Sequence, residues 1–399
     1  MISESPAPTG TDGRRSAFID CVRGYAILLV ITSHLTYSYP NLPYPVHRFT
    51  VLGWHGVQLF FLGSAVTLMM SWQNEMLRHG STDVAAFFLR RFFRIAPAYY
   101  SAALFYAFFW PPAVGFRAGQ AVAWLLFLNA WHPALSRPSL GGWQVVPGGW
   151  SISAEFAFYA AFPFIAARIT TLRKATGFFL GVTIGACVLN SVAQGWMVAM
   201  YDHESIEGFM YFFVPNQAPV FALGILLFFI LESLGSERLR TARRYLKPCT
   251  GLIICAAGML FLSISYLEPP RWFSLDIHAP PALLQASLAF MLFVIALAAG
   301  RPGGFVNQPL AFVGKVSFSA YLIHFAVIDG IIQSFPSLSG IGATGYWAIL
   351  AFCLGWLAVV VMTIAASACS YRFIEEPGMG LGRWMIAAQR RRAVVARPD

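Results

Sequence analysis

The chain has 399 residues, of which 58% are hydrophobic and 11% charged, with a formal net charge of +10. Soluble domains carry about 25% charged residues, whereas here apolar runs of about 18 to 24 residues recur from end to end, each long enough to cross about 30 Å of hydrocarbon. This excludes a soluble globular enzyme and describes an all-α, polytopic transmembrane bundle.

Residues 1–17 are polar and carry Arg14 and Arg15 before the first apolar run, with no small-residue cleavage site after it. They read as a cytoplasmic extension of an uncleaved first span. Ten spans are expected, at 18–38, 52–72, 95–112, 150–167, 176–198, 211–232, 249–267, 281–299, 311–333 and 345–369. The apolar stretch 120–131 is too short to cross and is expected as a re-entrant or interfacial helix. The transmembrane domain is thus 18–370, and 371–399 reads as a basic cytoplasmic tail. The six cysteines show no CxxC pairing, which argues against disulfides and a thiolate metal site.

Basic residues fix the orientation. With both termini cytoplasmic, the inside collects Arg14, Arg15, Arg78, Arg90, Arg91, Arg94, Arg168, Arg173, Lys174, the cluster at 237–247, Arg301 and the tail, leaving Arg48, Arg117, Arg137 and Arg271 outside. The positive charge therefore belongs to a face near anionic lipid, not to a nucleic-acid partner.

Ionisable groups at membrane depth are expensive and default to functional sites facing the protein interior. In the first span, Arg23 and His34 stand eleven positions apart, which brings them to one helix face and separates them by about 16 Å along the axis. Asp20, three residues before Arg23, can pair with it; alternatively Arg23 is a snorkelling anchor. Glu155, in WSISAEFAFYAAFP, is expected about 7 Å below an outer interface marked by Trp150, at the depth of His34. A carboxylate beside an imidazole fixes its tautomer and raises its basicity; alternatively Glu155 braces helices through Ser151 or Tyr159, at i−4 and i+4. Arg90, Arg91 and Arg94 in FFLRRFFRIAPAYY suit a polyphosphate group or serve topology alone. The ninth span places Tyr321 and His324 at i, i+3, where His324 is either structural or catalytic. The remaining histidines, 47, 55, 79, 132, 203 and 278, fall in loops or at edges without metal-ligand spacing, so no metal site is expected. GxSxG and phosphate-loop motifs do not occur.

Several segments together resemble the acyltransferase-3 family of integral membrane acyltransferases: IDCVRGYAILLVITSH (19–34), GVQLFFLGSA (56–65), FLRRFFRIAPAYY (88–100), WSISAEFAFYAAFP (150–163), PNQAPVFALGILLF (215–228), SFSAYLIHF (317–325) and YRFIEEP (371–377). Departures are local: Leu62-Gly63-Ser64-Ala65 stands where the family usually ends a segment in Ser-Gly, and Val22 where it usually has Leu. The resemblance implies a membrane-domain-only O-acyltransferase of a bacterial inner membrane. It would move an acyl group, most often acetyl, from cytoplasmic acyl-CoA to a hydroxyl of a surface polysaccharide or lipid-linked glycan. It also carries over His34 and Arg23 as the essential pair, Glu155 as the acidic residue of the Trp-Ser-x-x-x-Glu segment, and Arg90, Arg91 and Arg94 as the basic motif. Acyl-CoA (acetyl-CoA) is then a co-substrate, and no cofactor is permanently bound.

A mechanism follows as an expectation. Arg91 and Arg94, with Arg23, hold the nucleotide phosphates; the pantetheine arm threads along the first span; and His34, oriented by Glu155, deprotonates the acceptor or is itself acylated. Trp131, Trp143, Trp272 and Asp202 mark outer segments where an acceptor can dock. The competing readings are acylation of a small metabolite such as a macrolide, a proton-coupled glycan or anion transporter using the same buried His and Glu, and a receptor or scaffold that needs neither Arg23 nor His34.

Overall fold

The apolar runs fold as helices whose ends are set by short polar residues. The computed structural model describes residues 10–110, 118–136, 145–201, 203–235, 244–266, 281–300, 302–336 and 343–395, and among them there is no strand. In chain order the helices are α1 (Gly10–Thr36), α2 (Tyr44–Val51), α3 (Gly56–His79), α4 (Val84–Phe109), α5 (Ala118–Leu125), α6 (Pro133–Ser136), α7 (Trp150–Arg168) and α8 (Leu172–Met197). They continue with α9 (His203–Phe212), α10 (Val214–Gly235), α11 (Thr250–Tyr266), α12 (Pro281–Gly300), α13 (Gln308–Lys315), α14 (Ser317–Ser334), α15 (Tyr346–Ser370) and α16 (Glu376–Val395). Asp83, Thr171 and Asn307 cap α4, α8 and α13 by accepting from the backbone N–H three residues on, which satisfies donors that a helix start otherwise leaves free.

Each of the ten expected spans coincides with a helix or, for 311–333, a helix pair. Among the described residues seven helical stretches are long and apolar enough to cross a membrane, and the pair α13–α14, bent by 77°, passes the same test when its two helices are taken together. The other two expected spans are α4, which carries three arginines in its first half, and α11, a shorter apolar helix of 17 residues. The stretch 120–131 contributes α5, eight residues long. Two tyrosines of α4 hold its end: Tyr99 Oη donates to the Trp124 carbonyl at 3.1 Å and Tyr100 Oη to that of Leu125 at 3.0 Å.

Helix α1 is the centre of the bundle. It packs against α2, α3, α13, α14 and α15, and its Ala26, Ile27, Val30, Ile31 and Leu35 are fully buried. The approach of α13 is so close that a Cβ at Gly314 would overlap the backbone carbonyl of Asp20, so only glycine lets these backbones meet. The kink after α13 leaves Ser317, Phe318 and Ser319 in the first turn of a new helix, with N–H groups that a straight helix would have used internally.

Helix α15 passes into α16 through a π-helical turn, Tyr371–Glu375, the kind of local widening that often marks functional positions. The segment expected as a tail thus begins as a continuation of the last long helix. Helix α16 then packs back on α4. Arg23, Arg91, Arg94, Lys315 and Arg372 are gathered by these contacts at one end of the bundle, the arginine-rich end.

Candidate active site

At the arginine-rich end, α1, α3, α4, α7 and α14 surround a cavity of about 90 Å3. Arg23, Arg91 and Arg94 line it together with Ser64, Glu155 and Tyr159, and Ser151 and Tyr321 stand on its wall. Residues from distant parts of the sequence therefore meet in one chamber. Arg23 faces the protein interior rather than lipid: its Nη2 donates to Thr67 Oγ1 at 3.4 Å, and its Nη1 lies 3.8 Å from the Asp20 carboxylate. The expected i, i+3 pair is present, and Arg23 also interacts with Arg94 and Glu155. Arg91 lies over the Phe87 ring at 5.9 Å, and its buried Nε makes no hydrogen bond.

Of the three arginines of α4, one turns elsewhere. Arg90 Nη2 bonds Glu75 Oε2 of α3 at 2.6 Å, which ties the α3–α4 hairpin and takes this guanidinium out of the cavity lining. Arg91 and Arg94 are one turn apart and face the chamber. Three guanidiniums and one carboxylate line the chamber, while Asp20 and Glu375 stand against Arg23 and Arg94 from outside the lining; bidentate donors of this kind hold phosphate or carboxylate groups strongly.

Glu155 is brought to this cluster and not to His34. It faces Ser64 and Tyr159 and the charges of Arg23 and Arg91. The expected His34–Glu155 pair is corrected by where α7 begins. Trp150 is not at an interface but buried, with its ring centroid 5.3 Å from Tyr211, 5.0 Å from Phe212 and 6.2 Å from Phe61. The chain enters α7 through buried Val145 and Val146, and Glu155, about a turn and a half after Trp150, faces Arg23 and Arg91. Of the two bracing partners, Tyr159 faces Glu155, whereas Ser151 bonds Tyr321.

Tyr321 links the chamber to the histidines. Its hydroxyl donates to the Gly148 carbonyl at 2.9 Å and accepts from Ser151 Oγ at 2.9 Å. Gly148 has φ +75°, and a Cβ there would stand 2.8 Å from the Tyr321 hydroxyl, so both backbone conformation and space require glycine. One turn along α14, the His324 ring lies 5.8 Å from that of Tyr321 and 5.2 Å from that of His34. His324 is fully buried, its Nδ1 3.2 Å from the Ala320 carbonyl and its Nε2 without a hydrogen-bond partner. His34, packed 4.4 Å from Phe325 between ring centroids, is only half-buried, and so is the member of the pair that can meet a substrate.

One charged group at this site is not among the residues singled out from the sequence. Glu375, in the π turn, is fully buried, with its Oε2 3.6 Å from Arg94 Nη1. Its Oε1 accepts from the Ser319 N–H at 3.1 Å and from the Ser319 hydroxyl, so the opened start of α14 supplies donors where a helix N-terminus favours negative charge. The signal was present in YRFIEEP, an acidic pair at the end of an apolar run.

Elsewhere, His55, expected at a loop edge, is 1% exposed in a short turn before α3. Trp131 is 46% exposed; Trp143, Asp202 and Trp272 lie outside the described residues. Among the described residues no three His, Cys, Asp or Glu side chains form a group able to hold a metal ion.

The helices and the chamber define a multi-pass integral membrane protein with a buried, arginine-lined site beside a pair of histidines. Residues 16–372 match the family described as Acyltransferase domain (Acyl_transf_3), and the chain belongs to that family. It is 24% identical over 378 residues to "Peptidoglycan O-acetyltransferase OatA" of Listeria monocytogenes serovar 1/2a, which covers 90% of this chain and 55% of that protein. Over 382 residues it is 24% identical to "Putative peptidoglycan O-acetyltransferase YrhL" of Bacillus subtilis (strain 168), covering 90% of this chain and 54% of that protein. The chain thus spans about half the length of these curated relatives. No solved structure matches it.

Proposed function

We propose that this protein is a membrane O-acyltransferase that moves an acetyl group from acetyl-CoA to a hydroxyl of a cell-surface glycan. The observation that carries this reading is the convergence of Arg23, Arg91 and Arg94 on one chamber whose wall, through Tyr321, leads to His34. Family membership supports acyl transfer, and the names of the relatives support an acetyl group and a glycan. The positive-inside asymmetry puts the arginine-rich end at the cytoplasm, where acyl-CoA is made.

Arg91 and Arg94 grip the nucleotide phosphates, and the unpartnered Nε of Arg91 is a donor still open to a phosphate oxygen. Glu155 keeps Arg23 and Arg91 apart and oriented. The pantetheine arm extends past Phe60, Phe61 and Tyr321, over about the 16 Å that eleven residues of α1 span. His34, held against His324 and Phe325, takes the proton of the acceptor hydroxyl as that oxygen attacks the thioester carbonyl. A C–O bond forms, the C–S bond breaks, and the imidazolium returns the proton to the departing thiolate. The ester leaves with the glycan, and coenzyme A leaves as the free thiol.

Purified protein given acetyl-CoA should release free thiol when a glycan acceptor is added, and the His34→Ala variant should not. Equal thiol release by both proteins would remove His34 from the reaction, and transport of glycan without release would replace the enzyme by a carrier.

A further inference from the structure

The acceptor needs a place beside His34, at the end of the bundle opposite the arginines. Tyr37 follows His34 by three residues, in the turn that ends α1, and is 61% exposed. Tyr211 packs its ring 5.3 Å from that of Trp150, whose neighbour Ser151 bonds Tyr321. Tyr211 in turn carries Trp54, whose ring is stacked on it at 5.3 Å and 15°. Although one face of the indole is covered, Trp54 is 39% exposed.

Beneath this pair lies a polar layer in an otherwise apolar setting. Gln58 Nε2 donates to Tyr211 Oη at 3.3 Å and to Gln217 Oε1 at 3.2 Å, and Gln217 Nε2 donates to the Tyr211 carbonyl at 2.6 Å. His55 Nδ1 lies 3.3 Å from Gln58 Oε1. A glutamine carbonyl only accepts, so Nδ1 carries the proton and Nε2 is an acceptor; it is buried and has no hydrogen-bond partner. Buried amides and an imidazole are costly unless paired, and here they are spent on fixing one tyrosine and, through it, one tryptophan. An aromatic residue serving only as an interfacial anchor needs no such foundation.

We infer that Trp54, Tyr211 and Tyr37 form the acceptor subsite, and that its ligand is the neutral ring of a pyranoside. A rigid, half-covered indole offers an apolar face to the C–H side of a sugar, the neighbouring phenols offer hydroxyl contacts at its rim, and no charged side chain belongs to the group. The position is the one acyl transfer requires: Tyr37 stands three residues after His34, and Tyr211 leads through Trp150 and Ser151 to Tyr321 and His324. The assignment rests on the proposed transferase reading for its chemistry, but sugar binding is testable without it.

The test uses the purified full chain in detergent micelles. Soluble tri- and tetrasaccharides of glucose, galactose, mannose and N-acetylglucosamine are titrated against wild type, Trp54→Ala, Trp54→Phe and Tyr37→Ala, with coenzyme A titrated in parallel to report folding and the donor site. At least one saccharide should bind the wild type, about tenfold more weakly to Trp54→Ala, within about threefold to Trp54→Phe, and measurably more weakly to Tyr37→Ala. Coenzyme A affinity should be the same throughout. Saccharide binding indifferent to Trp54→Ala, or no binding by the wild type, overturns the subsite. Trp54-dependent binding in a protein that transfers no acetyl group keeps the subsite and defeats the enzyme reading, whereas undiminished transfer by Trp54→Ala does the reverse.

Discussion

Arg94 is held from behind by Glu375: the guanidinium and the fully buried carboxylate lie 3.6 Å apart, and the same carboxylate accepts from the backbone and side chain of Ser319. A cavity arginine is thus fixed by a π turn and by the opened end of a kinked helix. Replacing Glu375 by Gln keeps an acceptor for Ser319 but removes the charge. Coenzyme A affinity should fall by about tenfold, with a smaller change in melting temperature. Glu375→Ala should also destabilise the fold by about 1–3 kcal/mol, because Ser319 then loses its partner. Unchanged affinity in the Gln variant would show that Arg94 needs no brace.

Arg90 and Arg91 are neighbours with different work. Arg91→Ala and Arg94→Ala should each weaken coenzyme A binding by about 10-fold or more. Arg90→Ala should leave it within about twofold and instead loosen the α3–α4 hairpin by about 1 kcal/mol, the scale of a partly exposed ion pair. Titration and thermal melting on the same preparations separate the two effects, and a reversal of the pattern would return Arg91 and Arg94 to a purely topological role.

The two histidines should also separate. His34→Ala is expected to abolish transfer while the protein still reaches the membrane and binds coenzyme A. His324, enclosed and bonded to its own helix, acts by positioning: His324→Asn should reduce kcat by about tenfold or more while leaving the KM for acetyl-CoA near its original value.

Gly148 permits the contact that sets Tyr321. Gly148→Ala introduces a left-handed alanine, worth about 1–2 kcal/mol, and pushes its Cβ at the Tyr321 hydroxyl. Turnover and melting temperature should both drop. Tyr321→Phe, which removes the hydroxyl that Cβ meets, should by itself lower turnover but restore part of the melting temperature in the double variant, as contacting residues are not additive. Strict additivity would disprove the coupling.

The helices were readable because lipid demands long apolar runs with their backbone bonds satisfied internally. All ten runs are helical, and Arg23, Arg91, Arg94 and Glu155 betrayed themselves as charges where charge is expensive. What counting along a helix missed was depth. Trp150 looked like an interfacial residue but is buried among Phe61, Tyr211 and Phe212, and Glu155 meets Arg23 instead of His34. Glu375 escaped notice because its burial comes from a kink between α13 and α14, far away in sequence. Trp54 and Tyr211 are ordinary aromatics in an aromatic-rich chain until packing stacks them.

The kink has a consequence for biogenesis. The arginine-lined chamber draws on α1, α3, α4, α7 and α14, and its brace comes from the turn after α15. A nascent chain that has inserted its first half holds these three arginines with no Glu375 to pin one of them, so the cluster is completed only when the turn after α15 is in place. The turn after α15 is therefore the latch that closes the arginine cluster.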